Sequence, residues 1–267
     1  MGAMVALQYL NNTNAQLQST QNAINSGLKV ATAKDDGATF AIAQDMRGDL
    51  AGYSAVTDSL HRAVSAVDVA LSAGQSISDL LIQMKQKAAA ASDQSLDTAN
   101  REALNEDFTA LRDQITSIIS NAVFNGFNLI DGSTGQITAL ASSDGTRKIT
   151  VQAENLGLSG SIVTISKTGS IITQSNASAM IATVEKSLTN VNSALARLSS
   201  GERKYSVQID FVQKLSDTVS SGIGNLVDAD MAKESARLQS LQVKQQLGVQ
   251  ALSIANTSPQ IIMSLFR

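Results

Sequence analysis

No cysteine and no tryptophan occur in the 267 residues, and proline and histidine appear once each. Without cysteine there is no disulfide framework, no thiol nucleophile and no thiolate metal site. One histidine cannot build a Cys/His zinc cluster, and no H-E-x-x-H pattern exists. Aromatic residues are only 3% although hydrophobic residues reach 43%. That mixture, rich in Ala, Ser, Asn and Gln, suits long helices packed through small side chains better than a thick globular core. A formal charge of −3 carries no basic footprint, so no nucleic-acid partner is expected. No run reaches the roughly 18 consecutive apolar residues of a spanning helix, so no membrane insertion is expected either. The opening MGAMVALQYLNNTN lacks the basic start and small-residue cleavage site of a secretory signal; if the protein leaves the cell, another route must serve.

The stretch from Leu226 to Arg267 reads as a helix with no face left for water. One apolar line runs Val227, Met231, Leu238, Leu241, Leu252, Ala255; a second runs Ala229, Ala232, Ala236, Val243, Leu247, Ile254. A surface helix needs one such stripe. Two stripes call for cover on two sides, which a chain this size can supply only in part, so other chains are the expected cover.

At the other end, Ala3, Leu7, Leu10, Leu17, Ile24 and Leu28 repeat at four-three spacing, interrupted by Asn14 and Gln21. This is the coiled-coil seam pattern, with Asn and Gln layers expected to fix register. Its Asn and Gln content makes the helix weak alone, and the C-terminal stretch is the expected partner. Gly27 and Gly37 bracket a break, with Asp35 or Asp36 placed to cap the following helix. From Thr39 to Ala91 the seam resumes through Met46, Leu50, Tyr53, Leu60, Val64, Val67, Leu71, Leu81 and Ala88, a rod of roughly 80 Å at the helical rise. Further helices follow through Leu104, Phe108, Leu111, Ile115 and Ile118, and through Ile181, Val184, Leu188, Val191, Leu195, Leu198, Tyr205, Ile209 and Val212. Between them Asn125-Gly126 and Asp131-Gly132 signal turns. Ile137, Ala139, Ala141 and Ile149, Val151, Ala153 alternate across a Ser142–Gly145 turn, as in a hairpin. Ser161 to Lys167 is expected to add a strand. The fold class is therefore mainly α: an elongated coiled-coil-like helical bundle built from the N- and C-terminal segments, with a small β-hairpin-containing cap.

No catalytic, cofactor-binding or metal constellation emerges. His61, between Leu60 and Arg62, reads as a solvated surface side chain rather than one member of a Ser–His–Asp relay. Gly222 and Gly224 lack the preceding strand that a dinucleotide fingerprint requires and read as a helix break. Asp228, Asp230 and Glu234 could face a cation, but capping the next helix is the stronger reading.

Both ends carry a recognisable signature: Ile24-Asn-Ser-Gly-Leu-Lys-Val30, Ala33-Lys-Asp-Asp-Gly37 and Ala41-Ile-Ala43, then Phe124-Asn-Gly126 with Asn128-Leu129. At the far end come Asp228-Ala-Asp230, Ala232, Glu234-Ser235, Lys244-Gln-Gln246, Ala255-Asn256 and Leu265-Phe-Arg267. Over nearly its whole length the chain resembles bacterial flagellin, in its alphaproteobacterial form. The resemblance implies a structural subunit, not an enzyme, that polymerises into the flagellar filament for swimming. It implies residues 1–30 and 228–267 as the inner filament core, 31–130 and 175–227 as a helical rod, and 131–174 as a small β-rich segment in place of large outer domains. Implied partners are other flagellin subunits in an open helical homopolymer, an export chaperone on the C-terminal region, and filament cap and hook-junction proteins. The implied destination is extracellular, reached unfolded through the flagellar export apparatus. The family pattern also places a short further stretch ahead of Gly2. Where many flagellins carry an arginine-rich turn read by animal innate immunity, this chain has Gln83, Lys85 and Lys87, which implies weak recognition, since Lys cannot make a bidentate Arg contact.

For assembly, Leu7, Leu10, Leu17 and Ile24 are expected to meet Leu238, Leu241, Leu247 and Leu252, with the terminal helices loosely ordered until neighbours cover them. Two other readings stay open: a hook–filament junction protein, which shares the terminal helices, and a cell-surface binding protein of flagellin ancestry.

Overall fold

The computed structural model describes the backbone of residues 2–264 and side chains through Ala255; the closing Leu265-Phe-Arg267 of the family signature lies outside the described residues. Among those described, five helices form: α1 (Gly2–Ser26), α2 (Gly37–Ala91), α3 (Thr98–Asn121), α4 (Gln174–Val227) and α5 (Met231–Ser264). Two antiparallel strand pairs lie between α3 and α4. They are β1 (Val123–Phe124) with β2 (Phe127–Asn128), and β3 (Gln136–Leu140) with β4 (Lys148–Gln152). The mainly helical class expected from the sequence is the one observed.

The chain divides into two compact units, one of Ala51–Ser216 and one joining Met1–Leu50 to Asp217–Arg267. In the first, the three-four seams of α2, α3 and α4 close on one core. Leu60, Ile77, Leu81 and Met84 meet Phe108 and Ile115 and, from α4, Val184, Val191, Leu198 and Tyr205, all fully buried. The turn from α2 to α3 is fixed at both helix ends. The Asp97 carboxylate accepts from the Asn100 N–H at 2.7 Å, capping α3. Arg101 donates to the Ala91 and Asp93 carbonyls at 2.8 and 2.7 Å, satisfying acceptors left over at the end of α2.

The Asn125-Gly126 signal makes a two-residue hairpin between β1 and β2. Both residues have positive φ, 49° and 84°, the backbone twist a tight hairpin favours. The longer hairpin pairs Ile137 with Val151 and Ala139 with Ile149, as their alternation requires. Its turn is held by Asp144, whose carboxylate accepts from the Ser142 and Thr146 hydroxyls and from the Thr146 N–H. Those donors, the Ser142 hydroxyl first, hold its pKa down at about 2. The ribbon lies against α4 at close range. A Cβ at Gly201 would stand 2.5 Å from Val151 Cγ1, so the strand reaches the helix only over a glycine. Tyr205 completes the contact, its hydroxyl donating to the Ile137 carbonyl at 2.9 Å.

The strand expected over Ser161–Lys167 does not form. Its backbone is satisfied otherwise: Ser159 N–H donates to Ile165 O, Gly160 N–H to Val163 O, and Thr164 N–H to the Ser187 hydroxyl of α4. With those groups committed to a local turn and to a helix side chain, no ladder partner remains. The alternating burial of Val163 and Ile165, read from sequence as a strand, marks an extended loop pressed onto α4.

Candidate functional site

In the second unit the two chain reversals sit side by side. Gly27, at φ 72°, ends α1 in the left-handed conformation that glycine adopts without a Cβ penalty. Residues 27–30 then bond to 227–229. Lys29 N–H donates to Val227 O at 2.7 Å, Ala229 N–H donates to Gly27 O at 2.9 Å, and Leu28 bridges Asp228 in antiparallel fashion. The Lys29 ammonium donates to the Asn225 carbonyl at 2.9 Å, a cation at the C-terminal end of α4 where the helix dipole favours it. Val30, Ala43, Ile223 and Val227 are buried together beneath this clasp.

The aspartates around the clasp act as caps. Asp36 accepts from the Ala38 and Thr39 N–H groups and the Thr39 hydroxyl to start α2. Asp35 instead closes the preceding turn through Ala31, Thr32 and the Thr32 hydroxyl. Those bonds hold both carboxyls below the usual range, the largest effects coming from the Thr32 N–H for Asp35 and the Thr39 hydroxyl for Asp36. Asp230 caps α5 through the Ala232 and Lys233 N–H groups at 3.0 and 3.1 Å, the role preferred for it over cation binding. Among the described residues no group of three or more acidic or histidine side chains is placed to hold a metal ion. His61 is exposed.

From the clasp, α1 and α5 run antiparallel against each other. The Gln245 amide donates to Asn14 at 2.8 Å, and a Cβ at Gly248 would meet Leu10 at 3.2 Å. That register sets Leu17 opposite Leu241. The less exposed stripe of α1 is Ala3, Ala6, Leu10, Thr13, Leu17, Thr20 and Ile24; that of α5 is Glu234, Leu238, Leu241, Gln245, Gly248, Leu252 and Ala255. Both repeat at three-four spacing, the heptad geometry of paired helices. The α1 seam keeps Ala3, Leu10, Leu17 and Ile24 of the one read in the sequence but takes the preceding residue at the positions between them. Leu7, Asn14 and Gln21 point outward, so Asn14 is not a buried layer but bonds Gln245 at the rim. Ala6, Thr13 and Thr20 replace them, small enough to let the helices approach closely.

Of the eight residues expected to drive assembly, Leu10, Leu17, Ile24, Leu238, Leu241 and Leu252 thus lie along the pair's own seam, and Leu241 alone is fully buried. Leu7 and Leu247 stand outside it. The second apolar line of α5 is open along its length: Val243, Leu247 and Ile254 are exposed, with Val249 beside them. On α1, Met4, Val5, Leu7 and Tyr9 are exposed likewise. The described structure thus has one apolar face of the helix pair closed and the other uncovered. Lys85 and Lys87, by contrast, are tied into ion pairs with Glu185 and Asp107 at 2.8 and 2.5 Å.

The two terminal helices are thus joined at their base by the clasp and carry exposed apolar side chains on their outer side. Residues 1–135 match the bacterial flagellin N-terminal helical region, and residues 181–266 match the bacterial flagellin C-terminal helical region. Flagellin FljK of Caulobacter vibrioides is 51% identical over 266 residues, covering 100% of this chain and 96% of that one. A flagellin of Brucella melitensis is 38% identical, covering 99% and 96%. The chain belongs to the bacterial flagellin family. Two solved structures share the fold. Bacillus cereus flagellin has a TM-score of 0.52, covering 58% of this chain and 88% of that one at 19% identity. A putative flagellar hook-associated protein from Vibrio parahaemolyticus reaches 0.60 over 73% and 100% at 11% identity. The chain is accordingly a structural subunit of the bacterial flagellar filament, outside the cell, where it polymerises with other flagellin subunits.

Proposed function

We propose that the uncovered face of the α1–α5 pair is where each subunit meets its neighbours, with residues 1–30 and 228–267 forming the inner core of the filament. In this reading 31–130 and 175–227 supply the helical rod and 131–174 the small β-rich segment. The observation that carries the proposal is the exposure of large apolar side chains on both helices: Met4 78%, Tyr9 70%, Leu247 58% and Ile254 70%. At about 25 cal/mol per Å² of apolar area removed from water, covering such a row is a strong drive to associate. The contact is heterologous, one patch against a different patch, because a self-complementary patch closes into a dimer instead of propagating. The same exposed row gives an export chaperone a surface to shield on the C-terminal region. Passage through the flagellar export apparatus, and folding next to cap and hook-junction proteins, complete the reading.

The test separates the pair's own seam from its outer face. Leu247→Asp leaves the seam intact, so the monomer should keep its far-UV circular dichroism yet yield no sedimentable filament under salting-out conditions. Filaments of wild-type length from that variant would overturn the assignment.

A further inference from the structure

Two of the exposed apolar surfaces of the Ala51–Ser216 unit have charged side chains beside them that are unpaired among the described residues. On α4, Val207 and Phe211 are 68% and 57% exposed, one helical turn apart on the same face. Arg203 and Lys204 stand one turn before them, exposed and without an ion-pair or hydrogen-bond partner among the described residues. From 203 to 214 the helix carries Arg203, Lys204 and Lys214 against Asp210 alone. The other surface is at the start of α3. There the Asn105 side chain accepts from the Ile171 N–H at 2.8 Å, which seats Ile172, itself 44% exposed, beside the helix. Glu102 and Glu106 flank that position, exposed and with no partner to either carboxylate among the described residues, whereas the adjacent Asp107 is already committed to Lys87.

Each surface thus has an apolar centre beside charged side chains, Arg203 and Lys204 outnumbering Asp210 on α4, and Glu102 and Glu106 on α3. Val207 lies 33 residues along α4 from Gln174, which is next to Ile172, and at the helical rise that is about 50 Å. No single chain can bring the two surfaces together, but one copy can offer each to a different copy. We propose that the Val207–Phe211 patch of one subunit docks on the Ile172 patch of another, with Arg203 and Lys204 facing Glu102 and Glu106. The occupant is a second copy of this chain, because the complementary rim is on the chain itself and because a head-to-tail contact of unlike patches propagates. The charges set which copies are accepted more than how tightly they hold, since like rims repel and unlike rims steer encounter. The inference rests on polymerisation alone and is independent of the outer face of the α1–α5 pair.

The test is charge reversal. E102K/E106K and R203E/K204E each place like charges at every junction, and at low salt each should raise the critical concentration for seeded growth about tenfold or more. The quadruple variant restores unlike rims and should polymerise within about threefold of wild type, but segregate from wild-type subunits in mixtures. A second measurement uses the absence of native cysteine. In filaments of I172C/V207C, a short bis-maleimide should link subunits into a ladder of multimers, because the two positions are too far apart to link within one chain. Double variants that grow normally, or filaments that yield only monomer after cross-linking, overturn the proposal. If the quadruple variant fails to grow, the cross-linking result decides.

Discussion

Leu241 is the point at which the α1–α5 pair is most exposed to a single substitution. It is the one fully buried side chain on the described part of α5, at 3% exposure, and Thr20 is its counterpart on α1. The other seam residues are only half-buried, so much of the pair's stability in the monomer passes through this leucine. Leu241→Ala removes its buried methyl groups from the position opposite Leu17. Core Leu→Ala changes cost 2–5 kcal/mol, and a seam open to water on both sides belongs near the bottom of that range, about 2–3 kcal/mol. At about 1.4 kcal/mol per tenfold, local opening of the pair becomes about 30 to 150 times more frequent. Native-state hydrogen exchange on the monomer reads this directly. Amides of α1 and α5 should lose protection by that factor, while amides around Leu60, Leu81 and Tyr205 in the other unit should not change. Retention of protection in α1 and α5 within about twofold, or an equal loss in both units, would refute the reasoning. The contrast with Leu247→Asp sharpens the test, since that variant should lose polymerisation without losing protection.

Gly201→Ala should force Val151 away from α4 and destabilise the Ala51–Ser216 unit by about 1–3 kcal/mol, seen as a lower Tm that Val151→Ala partly restores. Burial pushes the Tyr205 phenol up to about 12, above its ordinary value of about 10. The folded state therefore keeps a proton that the unfolded chain has lost. Its contribution is full below about pH 10 and disappears as pH rises through 12, so thermal unfolding followed by circular dichroism should show a steep alkaline loss. Tyr205→Phe should flatten that loss while costing about 1 kcal/mol at neutral pH through the missing bond to the Ile137 carbonyl; an unchanged alkaline slope would contradict the assignment.

Much of this was legible in the residues because long helices with one period announce themselves. The three-four seams of α2, α3 and α4 each became a buried line, and the Asn125-Gly126 and Ser142–Gly145 turns each closed a hairpin. Alternate positions of the α1 seam differ from the hydrophobic pattern because Leu7 outweighs Ala6 in any such pattern. In a closely approaching pair, however, the inner positions go to the smaller residue. Ser161–Lys167 failed for a different reason: alternating burial cannot tell a strand from an extended segment whose backbone groups are taken by a helix side chain. Nor could the sequence separate the two stripes of α5 into one that faces α1 and one left open, since both are apolar. Only the register fixed by Gln245 on Asn14 and Gly248 on Leu10 does that. The charged rims at Glu102 and Arg203 were invisible in pattern because the residues that make each surface are read as ordinary solvated positions until their neighbours are known.

The clasp at Gly27–Val30 and Val227–Ala229 has a mechanical meaning. Both exits from the terminal pair are lashed to each other by backbone bonds, and Lys29 adds a strut to the end of α4. A pull on either terminal helix is therefore delivered to the base of α2 and the base of α4 together, as a load shared by two parallel cables. In a propeller shaft that is twisted and bent at every turn, such a joint spares any one stretch of backbone from carrying the torque alone.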